Sequence, residues 1–173
     1  MFRNRGGAGS APSNAYRMQQ KMFSIGDDFW IENGAGQRAF KVDGKALRIR
    51  QTLVIEDAAG RELYTIKEKL VSVREVMTID GPAGQVAKVS KALISPLRER
   101  YNIELAGGGE WKAQGNIVDH QYDIEGPAGK IADVSKQWFR VRDSYGIEVA
   151  AGQDEALVIA VAVVIDQMAH PAR

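Results

Sequence analysis

The sequence predicts a mainly β fold, an antiparallel barrel or sandwich closed around a hydrophobic C-terminal helix. Two observations carry the prediction. The segment "IDGPAGQVAKVSK" at 79–91 returns as "IEGPAGKIADVSK" at 124–136, identical at nine of thirteen positions, and ten apolar residues stand in a row from Ala156 to Ile165. The first is the mark of one supersecondary unit used repeatedly. The second is an element without a polar face, which needs enclosure on every side.

The elements follow in chain order. Residues 1–15 mix two arginines with Gly, Ser, Ala, Asn and Pro; such a composition buries too little to offset its ordering entropy and reads as a tail. It lacks the apolar stretch of a signal peptide. From residue 16 the chain reads as a single domain. "IENGAG", "IEDAAG" and "IDGPAG" recur at a 24-residue step and bring Gly36, Gly60 and Gly84 into register. These clusters supply turn chemistry, with Pro82 and Pro127 presetting φ. Their flanks alternate: Leu47 and Ile49 oppose Arg48 and Arg50, Tyr101 and Ile103 oppose Asn102 and Glu104, and Phe139 and Val141 oppose Arg140 and Arg142. Short alternating strands between glycine turns form a barrel or sandwich with one apolar face.

In "DEALVIAVAVVID" six of the ten apolar residues are β-branched, which favours a strand. Asp154 as a helix cap, Glu155 in the first turn and alanines at 156, 160 and 162 favour a helix over 154–169. As a helix the apolar run rises about 15 Å, against roughly 30 Å for a bilayer core, so it cannot span. A surrounding barrel is the enclosure available to it.

Composition narrows the function. The chain has 173 residues, no cysteine, two histidines and a net charge of +1. Disulfides, thiol nucleophiles and zinc sites of the usual Cys/His type are excluded, no metal site is expected beyond a weak calcium candidate, and the cytoplasm is the expected compartment. Overall charge provides no field that would draw the chain onto nucleic acid. Walker, GxGxxG and HExxH motifs are absent, so no cofactor is implied. Asp27 and Asp28 are adjacent and would face opposite ways on a strand. His120 and His170 have no nearby nucleophile in sequence and no fixed orienting acid, and Ser90 and Ser135 recur in the repeated "VSK" as structural hydroxyls. No enzyme is indicated.

The stretches "KMFSIGDDFWIENGAGQRAFKVDGKALRIRQTLVIEDAAGRELYTIKEKL", "WFRVRDSYGIEV" and "DEALVIAVAVVID" resemble the LURP-one-related family, relatives of the tubby C-terminal domain and the phospholipid scramblases. The resemblance runs from Tyr16 to Ala169. It implies a closed barrel of about twelve antiparallel strands threaded by the C-terminal helix. It also implies a head-group-binding role at membrane surfaces, as in tubby domains, and raises calcium, as in scramblases. Asp143 matches an acidic position of the scramblase segment, but "VAAGQ" replaces most of the acids that calcium's six to eight oxygen ligands would require.

The repeat register sets Arg50, Arg74 and Arg98 at 24-residue steps, and Arg142 follows through the longer repeat. With Lys67, Lys69 and Lys91 these arginines are candidates for binding anionic phospholipid or phosphoinositide head groups from a peripheral position. The alternative is that they pair with Glu75, Glu99 and Asp143 as solvated ion pairs of little energetic consequence. The module would then be structural or bind a protein partner. With the helix filling the lumen, function belongs to the rims and outer faces.

Overall fold

The computed structural model describes residues 14–19, 28–44, 52–71, 74–92, 99–136 and 143–170. Among them run β1 (Ala15–Gln19), β2 (Phe29–Asn33), β3 (Arg38–Asp43), β4 (Thr52–Asp57), β5 (Glu62–Val71), β6 (Arg74–Gly81), β7 (Gly84–Lys91), β8 (Glu99–Leu105), β9 (Glu110–Asn116), β10 (Gln121–Gly126), β11 (Gly129–Ser135), β12 (Ser144–Val149) and the helix α1 (Glu155–Ala169). Successive strands pair antiparallel, and β1 pairs with β12 as well as β2, which closes a twelve-stranded barrel. The choice between sandwich and barrel is thereby resolved, and closure removes exposed sheet edges.

The period-two pattern sets the faces. In β9, Trp111 and Ala113 are buried while Lys112 and Gln114 are exposed; in β8, Tyr101 and Ile103 point inward. The segments at 79–91 and 124–136 form the β6–β7 and β10–β11 hairpins, each with a register shift at the corresponding place, Ile79/Asp80 and Ile124/Glu125. Acidic or amide side chains build turns as anticipated: Asn33 Oδ1 accepts from the backbone of Ala35 and Gln37 at 3.0 Å, and Asp57 Oδ1 from Ala59 and Arg61 at 2.9 Å. The Arg61 backbone N–H is the main reason that the Asp57 carboxyl is held below the usual carboxylate range.

The ten-residue apolar run is helical. Asp154 caps it, its Oδ1 accepting from the Leu157 N–H at 3.1 Å, and Glu155 occupies the first turn. Residues 158–165 are fully buried inside the barrel. Strand propensity loses for a physical reason. The barrel offers no free edge, and a segment in its lumen must satisfy its backbone internally, which a helix does. α1 is about 22 Å long, and no helix among the described residues is long and apolar enough to cross a membrane.

Alternating strand direction gives the barrel two unlike rims. Connections that follow even-numbered strands lie at one rim and are tight turns, including 82–83 and 127–128. α1 starts at this turn rim, where Tyr16 Oη donates to the Glu155 carboxylate and Tyr64 Oη to Asp154 Oδ2 at 2.5 Å. The helix then crosses the lumen and ends at the opposite, helix-exit rim. There the odd-numbered strands finish.

Candidate functional site

At the helix-exit rim the last turn of α1 meets the β9–β10 turn. Gly115, with φ +144°, lets the two strands close tightly: a Cβ there would stand 2.7 Å from the Gln121 carbonyl oxygen. Asn116 and Asp119 tie the turn through a 2.7 Å side-chain bond, and the His120 N–H donates to the Ile117 carbonyl at 3.1 Å. His120 itself has φ 54°, in the left-handed region. Its ring is buried and stacks on Tyr145 with centroids 4.0 Å apart.

The partner of His120 comes from the helix. His120 Nε2 lies 2.6 Å from Asp166 Oδ1, and His170 Nδ1 lies 3.2 Å from the same oxygen. Asp166 is 3% exposed, immediately after the apolar run. A carboxylate at a helix C-terminus opposes the helix dipole and loses solvation on burial, so it requires hydrogen-bonding partners. Both imidazoles bring a ring nitrogen to it. His170 also reaches the Val118 carbonyl through Nε2 at 3.1 Å, fastening the end of the helix to the turn. Among the described residues, Asp166 Oδ2 and His120 Nδ1 are buried without hydrogen-bond partners. Burial first, and then the Asp166 charge, pushes the phenols of Tyr122 and Tyr145 well above their usual value.

This cluster was not read from the sequence, where neither histidine has a fixed orienting acid. The fold brings Asp166 to His120 from 46 residues away, while the helix sets it one turn before His170. The signal available in sequence was Asp166 itself, an acid directly following ten apolar residues.

The basic candidates divide. Arg50, Arg98 and Arg142 lie outside the described residues; Arg74 is the first residue of β6, and its side chain is not among those described. Lys67 pairs with Asp80 at 3.0 Å. Lys91 pairs with Glu99 at 3.2 Å and stands 5.9 Å above the Tyr101 ring. Lys69 is exposed near the end of β5. Asp143 is exposed with φ 59° just before β12. Asp28 engages Lys41 at 3.2 Å, while Asp27 is outside the described residues. A shallow cavity of about 390 Å³ on the outer face of β9 and β10 is lined by Glu110, Lys112, Gln114, Asp123 and Glu125.

A closed barrel around a C-terminal helix is the architecture that the sequence resemblance implied, and the family comparison decides the matter. The model of the family described as LURP-one-related matches residues 15–166. The chain belongs to the LURP-one-related family. Among solved structures, an Arabidopsis thaliana protein determined by X-ray crystallography is similar with a TM-score of 0.65 at 13% identity, over 93% of this chain and 95% of that one. At that identity the likeness concerns the fold. No curated protein matches. The LURP-one-related family is not a known enzyme family, so the rims of this LURP-one-related barrel are read for binding chemistry first.

Proposed function

We propose that this LURP-one-related domain is a non-enzymatic, peripheral binder of anionic phospholipid surfaces, phosphoinositides included, acting from the cytoplasm through its helix-exit rim. The observation that carries the reading is the unlike composition of the two sets of connections. Those at the turn rim are short and built from Gly, Ala and Pro, with Arg61 their basic residue. The sequence segments joining odd-numbered strands to the next carry Lys21, Lys45, Arg48, Arg50, Arg98, Arg140 and Arg142. Interleaved with them are Phe23, Leu47, Ile49, Trp138 and Phe139. Basic residues mixed with aromatic and aliphatic ones are the composition that adsorbs to an anionic membrane interface, cations on phosphates and apolar groups at the acyl boundary.

The strand starts support the same reading. Arg74 opens β6, and Arg50, Arg98 and Arg142 precede the first residues of β4, β8 and β12 by one or two positions in sequence. In an antiparallel barrel those four starts share one rim. Lys69, near the end of β5, would join them. Lys67 and Lys91 contribute less, since acids already partner them.

The test is sedimentation of the full chain with phosphatidylcholine vesicles, with and without a few per cent of phosphoinositide, at two salt concentrations. Binding should require the anionic lipid and fall with salt. Each cation near the surface contributes about 1 kcal/mol, so reversing Arg50, Arg74, Arg98 and Arg142 to Glu should weaken binding by about 100-fold or more. Equal sedimentation with neutral and anionic vesicles sinks the reading. A protein-interaction role would then be the surviving alternative.

A further inference from the structure

We propose that His120, Asp166 and His170 form a binding site for a divalent transition-metal ion of the zinc class, which clamps the end of α1 to the β9–β10 turn. The three side chains offer two imidazole nitrogens and a carboxylate oxygen, all within 4.8 Å of one another. Nitrogen and carboxylate donors in this mixture suit zinc, cobalt or nickel and do not suit calcium, which prefers a cage of oxygens.

Hydrogen-bond accounting points to a cation. Among the described residues, the His170 ring nitrogens meet oxygen acceptors: Nε2 the Val118 carbonyl at 3.1 Å, and Nδ1 Asp166 Oδ1 at 3.2 Å and the Asp166 carbonyl at 3.3 Å. Nε2–H donating to Val118 leaves Nδ1 directed at two oxygens. A lone pair there is repelled unless a positive charge, a proton or a metal ion, stands between them. An imidazole that donates one ring N–H to a backbone carbonyl and presents the other nitrogen is also the usual second-sphere arrangement of a metal-bound histidine.

The remaining groups are consistent with such an ion. Asp166 Oδ2 is buried with no hydrogen-bond partner among the described residues, which leaves the carboxylate acceptor capacity inside the cluster. His120 Nε2 and Asp166 Oδ1, 2.6 Å apart, share a proton whose place the ion takes, with His120 then carrying its hydrogen on Nδ1. Metal–ligand bonds of about 2.0–2.2 Å set ligand atoms roughly 3.3–3.6 Å apart, within reach of small side-chain rotations. The His170 side chain is 35% exposed, which gives the ion a route in and leaves a fourth position for water.

The chain contains two histidines, and both are in the cluster, so imidazole ligation in untagged protein reports this site alone. Chelator-treated full-length protein would be titrated with Zn2+ by calorimetry and with Co2+ by visible absorption. The expected result is saturable one-to-one binding, cobalt bands of a nitrogen-ligated low-coordinate ion, and a higher Tm with Zn2+. His170→Ala, at the half-exposed helix end, should remain folded by circular dichroism and bind at least about 100-fold more weakly. Asp166→Asn, which keeps the side-chain shape, should weaken binding as well. Absence of saturable binding to the folded chain, undiminished binding by His170→Ala, or cobalt spectra without nitrogen ligation would each overturn the proposal.

Discussion

His120 Nε2 lies 2.6 Å from Asp166 Oδ1 and joins the β9–β10 turn to the last turn of the helix, between residues 46 apart in sequence. Both side chains are almost fully buried. The contact therefore holds the core helix at one end as Tyr16 and Tyr64 hold it at the other.

Removing one member of a buried, hydrogen-bonded carboxyl–imidazole pair leaves the other desolvated and unpaired. Asp166→Ala should destabilise the fold by about 3–5 kcal/mol, read from urea unfolding. A loss under about 1 kcal/mol would show that the cluster is not a structural tie.

All five tyrosines have phenols raised above their ordinary value, burial being the largest cause at each. The folded state holds these protons more tightly than the unfolded chain. Stability from this source is complete below the unfolded value of about 10 and is lost as pH rises beyond it. Tyr122 and Tyr145, whose phenols are held well above their usual value, should together remove about 3 kcal/mol per pH unit above 10. Phenolate absorbance should appear in one step with loss of circular dichroism. Gradual phenolate formation in a protein that stays folded would contradict the burial argument.

Val161 is fully buried in the middle of α1. Val161→Asp places a carboxylate in the lumen with no partner designed for it, at a cost comparable to the whole stability of a domain. The variant should fail to fold, checked by circular dichroism and gel filtration. A soluble, cooperative variant would mean that the helix is dispensable to the barrel.

Gly115→Ala combines a positive φ with a Cβ 2.7 Å from the Gln121 oxygen and 2.9 Å from Tyr122 Cα. About 2–3 kcal/mol of destabilisation is expected. Gly107→Ala, where nothing lies within 4 Å of the new Cβ, should be nearly silent in the same thermal melt. Equal effects would remove the close-approach explanation.

Much of the architecture was readable because it rests on local rules. Alternation in "YNIEL", turn chemistry in "IEDAAG" and capping by Asp154 each depend on residues a few positions apart, and each appears in the structure. The helix required one further step. Its β-branched residues favoured a strand, and only the absence of a polar face argued that something must surround it.

The candidate site was far less readable. Sequence spacing singled out Arg50, Arg74, Arg98 and Arg142, with Lys67, Lys69 and Lys91, yet Lys67 and Lys91 prove to be committed to Asp80 and Glu99 across neighbouring strands. Spacing cannot reveal such pairs, because strand register decides them.

By itself the sequence determined that the chain would be β-rich, punctuated by glycine turns and built around one apolar helix, since periodicity and propensity act within a few residues. The tertiary structure decided which strands pair to close the barrel and that His120 meets Asp166. Closure and burial are properties of the whole chain, and a carboxylate finds its partners only after twelve strands have brought distant residues to the same rim.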